Sequence, residues 1–315
     1  LEAIMNNVFP GIEEHEIPAG SGYSRGKVRD TADLGDEMII VTSDRISAFD
    51  RVLGTVPRKG EVLNRMSGFW FEKTRDICPN HLLEITSPRS MLVRKCGILP
   101  VEIIVRGYLT GSAWRAYQEG KTVSGVPLPP GLKLNQRFSA PIITPTTKEE
   151  QGAHDRPVSG AEIVRTGLVP EKLWEEVQEK ARALFLKGTE IAGRNGLILV
   201  DTKYEFGTVD GNLIIADEIH TPDSSRFWYA DTYQELFDRG EKQRKLDKEY
   251  LRQWLMDHGY MGDGDPPEIP EAVFLETGSK YIRAYTEITG ENFPENTLTI
   301  EAEKKKILSL IDERL

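Results

Sequence analysis

With 315 residues, 39% of them hydrophobic and 29% charged, the chain has the composition of a soluble globular protein and exceeds the length that one hydrophobic core normally serves. Its net charge of -10 argues against nucleic acid as a main partner, so any phosphate site must be local. No apolar run approaches the roughly 18 residues needed to span a bilayer, and Leu1 to Glu14 lacks the basic start and apolar core of a signal peptide.

Two lobes and a cleft are therefore expected, divided here as 1–120 and 121–315. Cys78 and Cys96 show neither CxxC spacing nor a disulfide framework, which suits a reducing cytoplasm. Expected partners are small molecules, with no membrane and no nucleic acid, for a monomer or small homo-oligomer.

In chain order, the stretch Ser21 to Asp30 and the aliphatic Met38 to Val41 read as two strands joined by a turn at Asp33 to Asp36. Gly26 would let backbone amides approach a phosphate, and Lys27 and Arg29, two apart, would share one strand face. A solvated basic hairpin is the other reading. Ser43 to Asp50 packs hydroxyls and charges just after a strand, where binding groups or a cap for the next turn are both expected. Val62 to Thr74 carries Leu63, Met66, Phe69 and Trp70 at helical spacing and reads as a core-facing helix.

Pro100 to Val105 reads as a buried strand that ends at Arg106, followed by a turn containing Gly107 and Gly111 and a helix starting at or just after Ser112. A charge at the end of an apolar strand calls for an anionic partner, either a ligand or an internal carboxylate. Hydroxyls and amides at a helix start also favour anions. Gly120 to Pro145 is rich in Gly and Pro and reads as a crossing from one lobe to the other. It ends in Thr144 to Lys148, then a polar loop reaching Pro157 with His154 and Asp155. That loop reads either as ordering on a ligand or as a linker.

Pro170 to Gly193 reads as a helix with Leu173, Trp174, Val177, Ala181, Leu184, Phe185 and Ile191 on one stripe. A hairpin follows, Gly196 to Gly207 against Leu213 to His220, around Asp210, Gly211 and Asn212. Alternation puts Asp201, Lys203 and Glu205 on one face. A two-residue turn pairs Val209 with Asn212 and sends Glu205 and Asp217 to opposite faces, whereas a three-residue loop pairs Val209 with Leu213 and sets the two acids opposite each other. The three-residue loop is the expectation. Two carboxylates about 4 Å apart repel by roughly 4 kcal/mol at an effective dielectric near 20, so such a pair implies a shared proton or a cation such as Mg²⁺. A solvated strand face bridged by Lys203 is the alternative. Beyond Thr221 to Trp228, Gln243 to Leu255 reads as a helix with Lys248 and Arg252 one turn apart, covering a phosphate or facing water. Helices near Glu271 to Thr289 and Thr299 to Asp312 close the chain, with Lys304 to Lys306 as a solvated face.

Gly26-Lys27-Val28-Arg29-Asp30, Ser43 to Asp50, Val105-Arg106-Gly107 with Gly111-Ser112, Asp201 to Gly207 and Asp217 to Arg226 occur in one order. Together, from about Ser21 to Gly290, they resemble the phosphoribosylaminoimidazole-succinocarboxamide synthase (SAICAR synthetase) family in its longer form. The resemblance implies an ATP-dependent carbon-nitrogen ligase of de novo purine biosynthesis. Such an enzyme joins L-aspartate to the carboxylate of carboxyaminoimidazole ribonucleotide (CAIR), releasing ADP and phosphate. It also implies an α+β fold, with an N-terminal antiparallel-sheet lobe similar to the protein-kinase small lobe and a larger ATP-grasp-like α+β lobe.

Carried over, Gly26, Lys27 and Arg29 would lie over the ATP phosphates, and the adenine would meet backbone around Ile98 to Glu102. Glu205 and Asp217 would hold Mg²⁺. Arg106, Ser112, Asp223, Arg226 and Arg252 would hold the ribonucleotide, with Lys248 beside Arg252, and Lys203 and the loop from Lys148 to Asp155 would lie near the reacting carboxylate and the aspartate. Thr31 and Ala32 stand where the family commonly has an aromatic residue after GKVRD, a departure in loop packing.

The chemistry agrees. A carboxylate must be phosphorylated before an amine can displace its oxygen, and phosphoryl transfer asks for positioning and charge neutralisation. The acyl phosphate must then be kept from water. Asp201 or Asp155 would accept the amine proton. Two other classes share these motifs: a small-molecule kinase with the same ATP and Mg²⁺ groups, and a non-catalytic nucleotide-binding scaffold.

Overall fold

A 3-10 turn at Glu14–Glu16 precedes short strands separated by polar turns, in a computed structural model that describes residues 8–49, 51–148, 155–246 and 250–315. The expected division is a single cut at residue 120. The chain instead folds as two compact units that interleave in sequence, Leu1–Phe69 with Leu82–Lys95 and Asp247–Leu315 as the first, and Trp70–His81 with Cys96–Leu246 as the second. The fold class is α+β with antiparallel sheets.

In the first unit, β1 (Gly22–Arg25), β2 (Arg29–Asp33) and β3 (Glu37–Thr42) form a meander, followed by the pair β4 (Arg45–Ala48) and β5 (Arg51–Thr55). Helix α1 (Lys59–Thr74) comes next, and β6 (Leu82–Ser87) and β7 (Ser90–Arg94) complete a five-stranded antiparallel sheet in the order β1-β2-β3-β7-β6. The Ser43 to Asp50 stretch proves structural where it is described. Asp44 is fully buried and accepts hydrogen bonds from the amides of Phe9 (2.8 Å) and Gly60 (2.8 Å), the latter in the first turn of α1. Arg45 is buried against Asp30 at 2.6 Å. Capping, the second of the two readings, is what the geometry supports.

The second unit is built on two long strands. It runs through β8 (Gly97–Tyr108), α2 (Gly111–Gln118), β9 (Arg137–Ile143), the two-residue β10 (Thr146–Thr147), α3 (Gly160–Arg165) and α4 (Glu171–Arg194). Then come β11 (Leu197–Val209), β12 (Asn212–Ala216), β13 (Ser225–Tyr229) and α5 (Ala230–Asp238). The predicted stripe of α4 is buried at Trp174, Val177, Ala181, Leu184, Phe185 and Ile191. The Gly120 to Pro145 segment does not cross between units, because β9 pairs antiparallel with β8 in the same sheet.

Strand β11 pairs along one edge with β8 and along the other with β12 and then β13, so those two lie in line with a gap between them. The hairpin turn corrects the expected register. Val209 pairs with Asn212 and Glu205 with Ala216, which leaves a two-residue turn at Asp210-Gly211. Both turn residues have positive φ, 50° and 78°, the mirror-image turn whose twist matches paired strands and for which Asp-Gly is suited. Glu205 is therefore not cross-strand from Asp217.

The chain then returns to the first unit with α6 (Tyr250–Asp257), α7 (Glu271–Thr289) and α8 (Ile300–Glu313). Helix α6 is shorter than expected: Lys245 bridges Trp228 as extended chain, and 247–249 lie outside the described residues. Pro270 precedes α7 and Gly290 ends it at φ 74°. Ile307 and Ile311 of α8 pack on Phe9, Ile12, Ala32, Ile39, Val41 and Leu92. Glu303 of the same helix is fully buried, 2.8 Å from Arg89. No helix among the described residues is long and apolar enough to cross a membrane.

Candidate active site

The β11 row of Asp201, Lys203 and Glu205 faces Arg106, Ile104 and Glu102 of β8 in register. Side chains two apart share a face, so this pairing builds one ionic surface from two strands. Lys203 Nζ donates to Glu102 Oε1 at 2.6 Å and to Glu205 Oε1 at 3.2 Å. Lys148 donates to the other oxygen of Glu205.

Burial would lower the Lys203 pKa, yet the carboxylates of Glu205 and Glu102 and, less strongly, of Asp217 hold it above the usual lysine value. Burial likewise pushes Glu205 up, and Lys203 and Lys148 outweigh it, leaving the carboxyl below its ordinary value. For Glu102 the balance falls the other way: burial wins over Lys203, and its pKa is raised. Asp155 also bears on Glu102 electrostatically. Asp217 thus acts on the same ammonium as Glu205, although the register denies the two acids a cross-strand pairing. Its positive φ of 62°, just beyond the end of β12, breaks the strand alternation on which the opposite-face expectation rests.

At the other end of the row, Asp201 is the hub of two guanidiniums. Arg226 Nε donates to Oδ1 at 2.8 Å and Nη2 to Oδ2, while Arg106 Nη1 reaches Oδ2 at 3.5 Å. Arg106 is almost fully buried and also donates to Thr144 Oγ1 (2.8 Å) and Ser112 Oγ (3.1 Å). Burial lowers its pKa, the cost of holding a cation where water does not reach. Gly111, at φ 60°, lets Arg226 in: a Cβ there would stand 2.3 Å from Arg226 Nη1. Two arginines and a serine hydroxyl at a helix start make a dianion cradle. Both oxygens of Asp201 are engaged by arginine.

Between β12 and β13 the chain leaves the sheet edge and returns, carrying Asp217 and Asp223. The return is stitched by Lys203 N to Ser224 O (2.9 Å) and by Ser225 Oγ to Thr202 Oγ1 (2.8 Å). Ile98 on β8 is 42% exposed.

In the first unit, Gly26 and Lys27 are exposed in the turn between β1 and β2, and only Arg29 lies on a strand. The expectation that Lys27 and Arg29 share a strand face is corrected accordingly. Gly26 N donates to Arg29 O at 2.7 Å, and a Cβ on Gly26 would stand 2.8 Å from that oxygen, so the turn needs glycine. Arg252 is exposed on α6, its guanidinium 4.7 Å from the Phe49 ring centroid. Lys248 and the loop 149–154, with His154, lie outside the described residues.

Several members of the site escaped the sequence reading. Thr144 holds Arg106, and the Glu102 side chain, expected only as adenine-contacting backbone, grips Lys203. A lone acid inside the apolar run Pro100 to Val105 was the available signal. Oxygen donors from Glu205 and Asp217 beside a lysine-balanced acidic cluster suit a hard divalent cation. Among the described residues no group of three or more acidic, His or Cys side chains forms a metal cage.

The SAICAR synthetase family model matches residues 22–267. The phosphoribosylaminoimidazole-succinocarboxamide synthase of Legionella pneumophila strain Lens is 48% identical over 289 residues, covering 90% of this chain and 92% of that one. The enzyme of the same name from Bacteroides thetaiotaomicron is 44% identical over 307 residues, covering 95% and 98%. Among solved structures, SAICAR synthase from Saccharomyces cerevisiae complexed with SAICAR aligns with a TM-score of 0.79 at 35% identity, over 91% of this chain and all of that one.

Proposed function

The chain belongs to the SAICAR synthetase family, and from that premise we propose how its residues divide the work. It is an ATP-dependent ligase of purine biosynthesis: L-aspartate is joined to the carboxylate of CAIR to give SAICAR, ADP and phosphate. The observation that carries the assignment of roles is the ionic row of β11, with a dianion cradle at Asp201 and a cation-seeking cluster at Glu205.

Arg106, Arg226 and Ser112 take the ribonucleotide phosphate, with Asp201 aiming the two guanidiniums, and Asp223 on the excursion is assigned to the rest of the ribonucleotide. Lys203 and Lys148 neutralise the substrate carboxylate as it is phosphorylated to an acyl phosphate. The amine of aspartate then attacks the acyl carbon, phosphate leaves, and the amine proton passes to Asp155, since Asp201 is occupied by arginine. Mg²⁺ would be held by Glu205 and Asp217, whose oxygens it prefers, and when bound would neutralise charge on the ATP phosphates. In the first unit, Gly26, Lys27 and Arg29 are assigned to ATP phosphates and Arg252, with Lys248, to an anion. In the second, the backbone of Ile98 to Glu102 is assigned to adenine. The antiparallel sheet of the first unit is in keeping with a kinase-like nucleotide lobe, and the second with an ATP-grasp-like lobe. The setting is a reducing cytoplasm.

The test supplies ATP, Mg²⁺ and CAIR with and without L-aspartate, following ADP and the succinyl adduct by mass spectrometry. Adduct and ADP should form together and only with aspartate. ADP released at an undiminished rate without aspartate, and no adduct with it, would overturn the assignment in favour of a kinase.

A further inference from the structure

The excursion 217–224 is anchored by a buried side chain that the chemistry above does not use. His220 is fully buried, as is Tyr204, and the Tyr204 hydroxyl meets His220 Nε2 at 2.5 Å. Tyr204 sits on β11 between Lys203 and Glu205, with its side chain on the opposite face from theirs. It stands where β11 has lost β12 and not yet gained β13 as an edge partner, the gap that the excursion spans. The histidine ring is wedged there, edge-on to Trp70 at 4.6 Å between centroids. Against it also lies Gly188 of α4, where a Cβ would stand 2.5 Å from His220 Cε1, so that only glycine admits the ring.

This arrangement is held at a cost. His220 has φ 51°, a left-handed conformation uncommon outside glycine, and Asp217 has φ 62°. His220 Nδ1 finds no hydrogen-bond partner among the described residues. With one ring nitrogen on Tyr204 and the other unmatched, at least one buried polar group stays unsatisfied. Burial pushes the histidine down to about 3, so the ring is neutral at physiological pH. Strain and an unmatched polar atom persist where the surrounding structure overdetermines them, and they cluster at functional segments.

We infer that His220 is a positioning residue: by bonding Tyr204 beneath the β11 row, it fixes the middle of the excursion and thereby aims Asp217 at the site of Glu205 and Lys203. This rests on the assignment of Asp217 as a metal ligand made above. The side chains meet no substrate, so the effect passes through Asp217. Removing the anchor lets the excursion relax toward ordinary backbone angles, and the acid loses its aim.

The experiment measures Mn²⁺ affinity by calorimetry with ADP present, together with kcat, KM for CAIR and the melting temperature. The proteins are the parent, Tyr204→Phe, His220→Gln, His220→Leu and Asp217→Asn. Outer partners of metal ligands typically set affinity by about 10- to 100-fold. Tyr204→Phe and His220→Leu should therefore weaken Mn²⁺ by about 10-fold or more and lower kcat. Glutamine, whose amide reaches the position of Nε2, should restore most of the affinity. Tyr204→Phe keeps the ring and its packing, so it should remain folded even where His220→Leu does not. Parental Mn²⁺ affinity and kcat in folded Tyr204→Phe would overturn the inference and leave the pair a purely structural contact. Parental affinity in Asp217→Asn would instead overturn the metal assignment beneath it.

Discussion

The Lys203 ammonium lies 2.6 Å from the Glu102 carboxylate on the neighbouring strand, while Glu102 and Glu205 face each other in register. Lys203 is thus a diagonal bridge between two like charges that repel when directly opposite. In the parent the two acids act on stability with opposite sign. Glu205, held low, contributes stability present above its unfolded value and lost as pH falls through its lowered one. Glu102, held high, contributes stability present at low pH and lost as pH rises through its raised value. Replacing Lys203 with Met should raise both carboxyls. The melting temperature of Lys203→Met should trail the parent most at neutral pH and approach it on acidification, measured between about pH 4 and 8. Activity should fall by about 100-fold or more, as for loss of a preorganised charge in a transition state. A deficit that stays constant or grows in acid would show that Lys203 does not separate these acids.

Asp201 offers a choice between two roles with different kinetic signatures. If it aims Arg106 and Arg226, Asp201→Asn disorders the cradle and chiefly raises KM for the ribonucleotide, by about 10-fold or more given the strength of charge-assisted bidentate pairs. If it accepts the amine proton, kcat collapses with little change in KM. The bidentate grip of Arg226 favours the first outcome. Steady-state kinetics with CAIR varied at saturating ATP and aspartate decides it.

What could be read in advance depended on the range over which a residue acts. Helix α7 was legible because Pro270 and Gly290 bracket an uninterrupted periodic run, and both signals are local. The hairpin turn was half legible: Asp-Gly is a strong two-residue turn signal, but strict alternation made that turn incompatible with two acids serving one cation. The left-handed Asp217 removes the conflict, and although aspartate adopts that conformation more readily than most residues, nothing local singles out Asp217 for it. Lys27 reads as a strand residue while Gly26 is valued only for its openness to phosphate, whereas the lack of a Cβ at Gly26 also permits the tight turn that carries Lys27. Glu303 binding Arg89, 214 residues away in sequence, left no trace in either local pattern.

Gly111 is where backbone freedom and the anion cradle meet. At φ 60° an L-residue is strained, and alanine there would place its Cβ 2.3 Å from Arg226 Nη1. Gly111→Ala should cost more than about 1 kcal/mol in stability and push Arg226 off Asp201. The expected kinetic result is a higher KM for the ribonucleotide with KM for ATP within about 3-fold of the parent, a difference of under 1 kcal/mol. Equal rises for both substrates would mean general loosening of α2 rather than displacement of one arginine.

Arg89 sits 1% exposed between Asp44 and Glu303, both fully buried, and donates to each. It ties the last helix to the sheet of the first unit. Removing the guanidinium strands two carboxylates away from water, so Arg89→Met should cost about 3–5 kcal/mol. The double variant Arg89→Met/Glu303→Leu should regain part of that loss, because an apolar pair of similar volume often replaces a buried ion pair without penalty. Asp44 still accepts the Phe9 and Gly60 amides, which is why the recovery should be incomplete rather than full. Denaturant melts of the parent, single and double variants give the comparison. A single variant within about 1 kcal/mol of the parent would show that the carboxylates find other partners or take up protons at no cost.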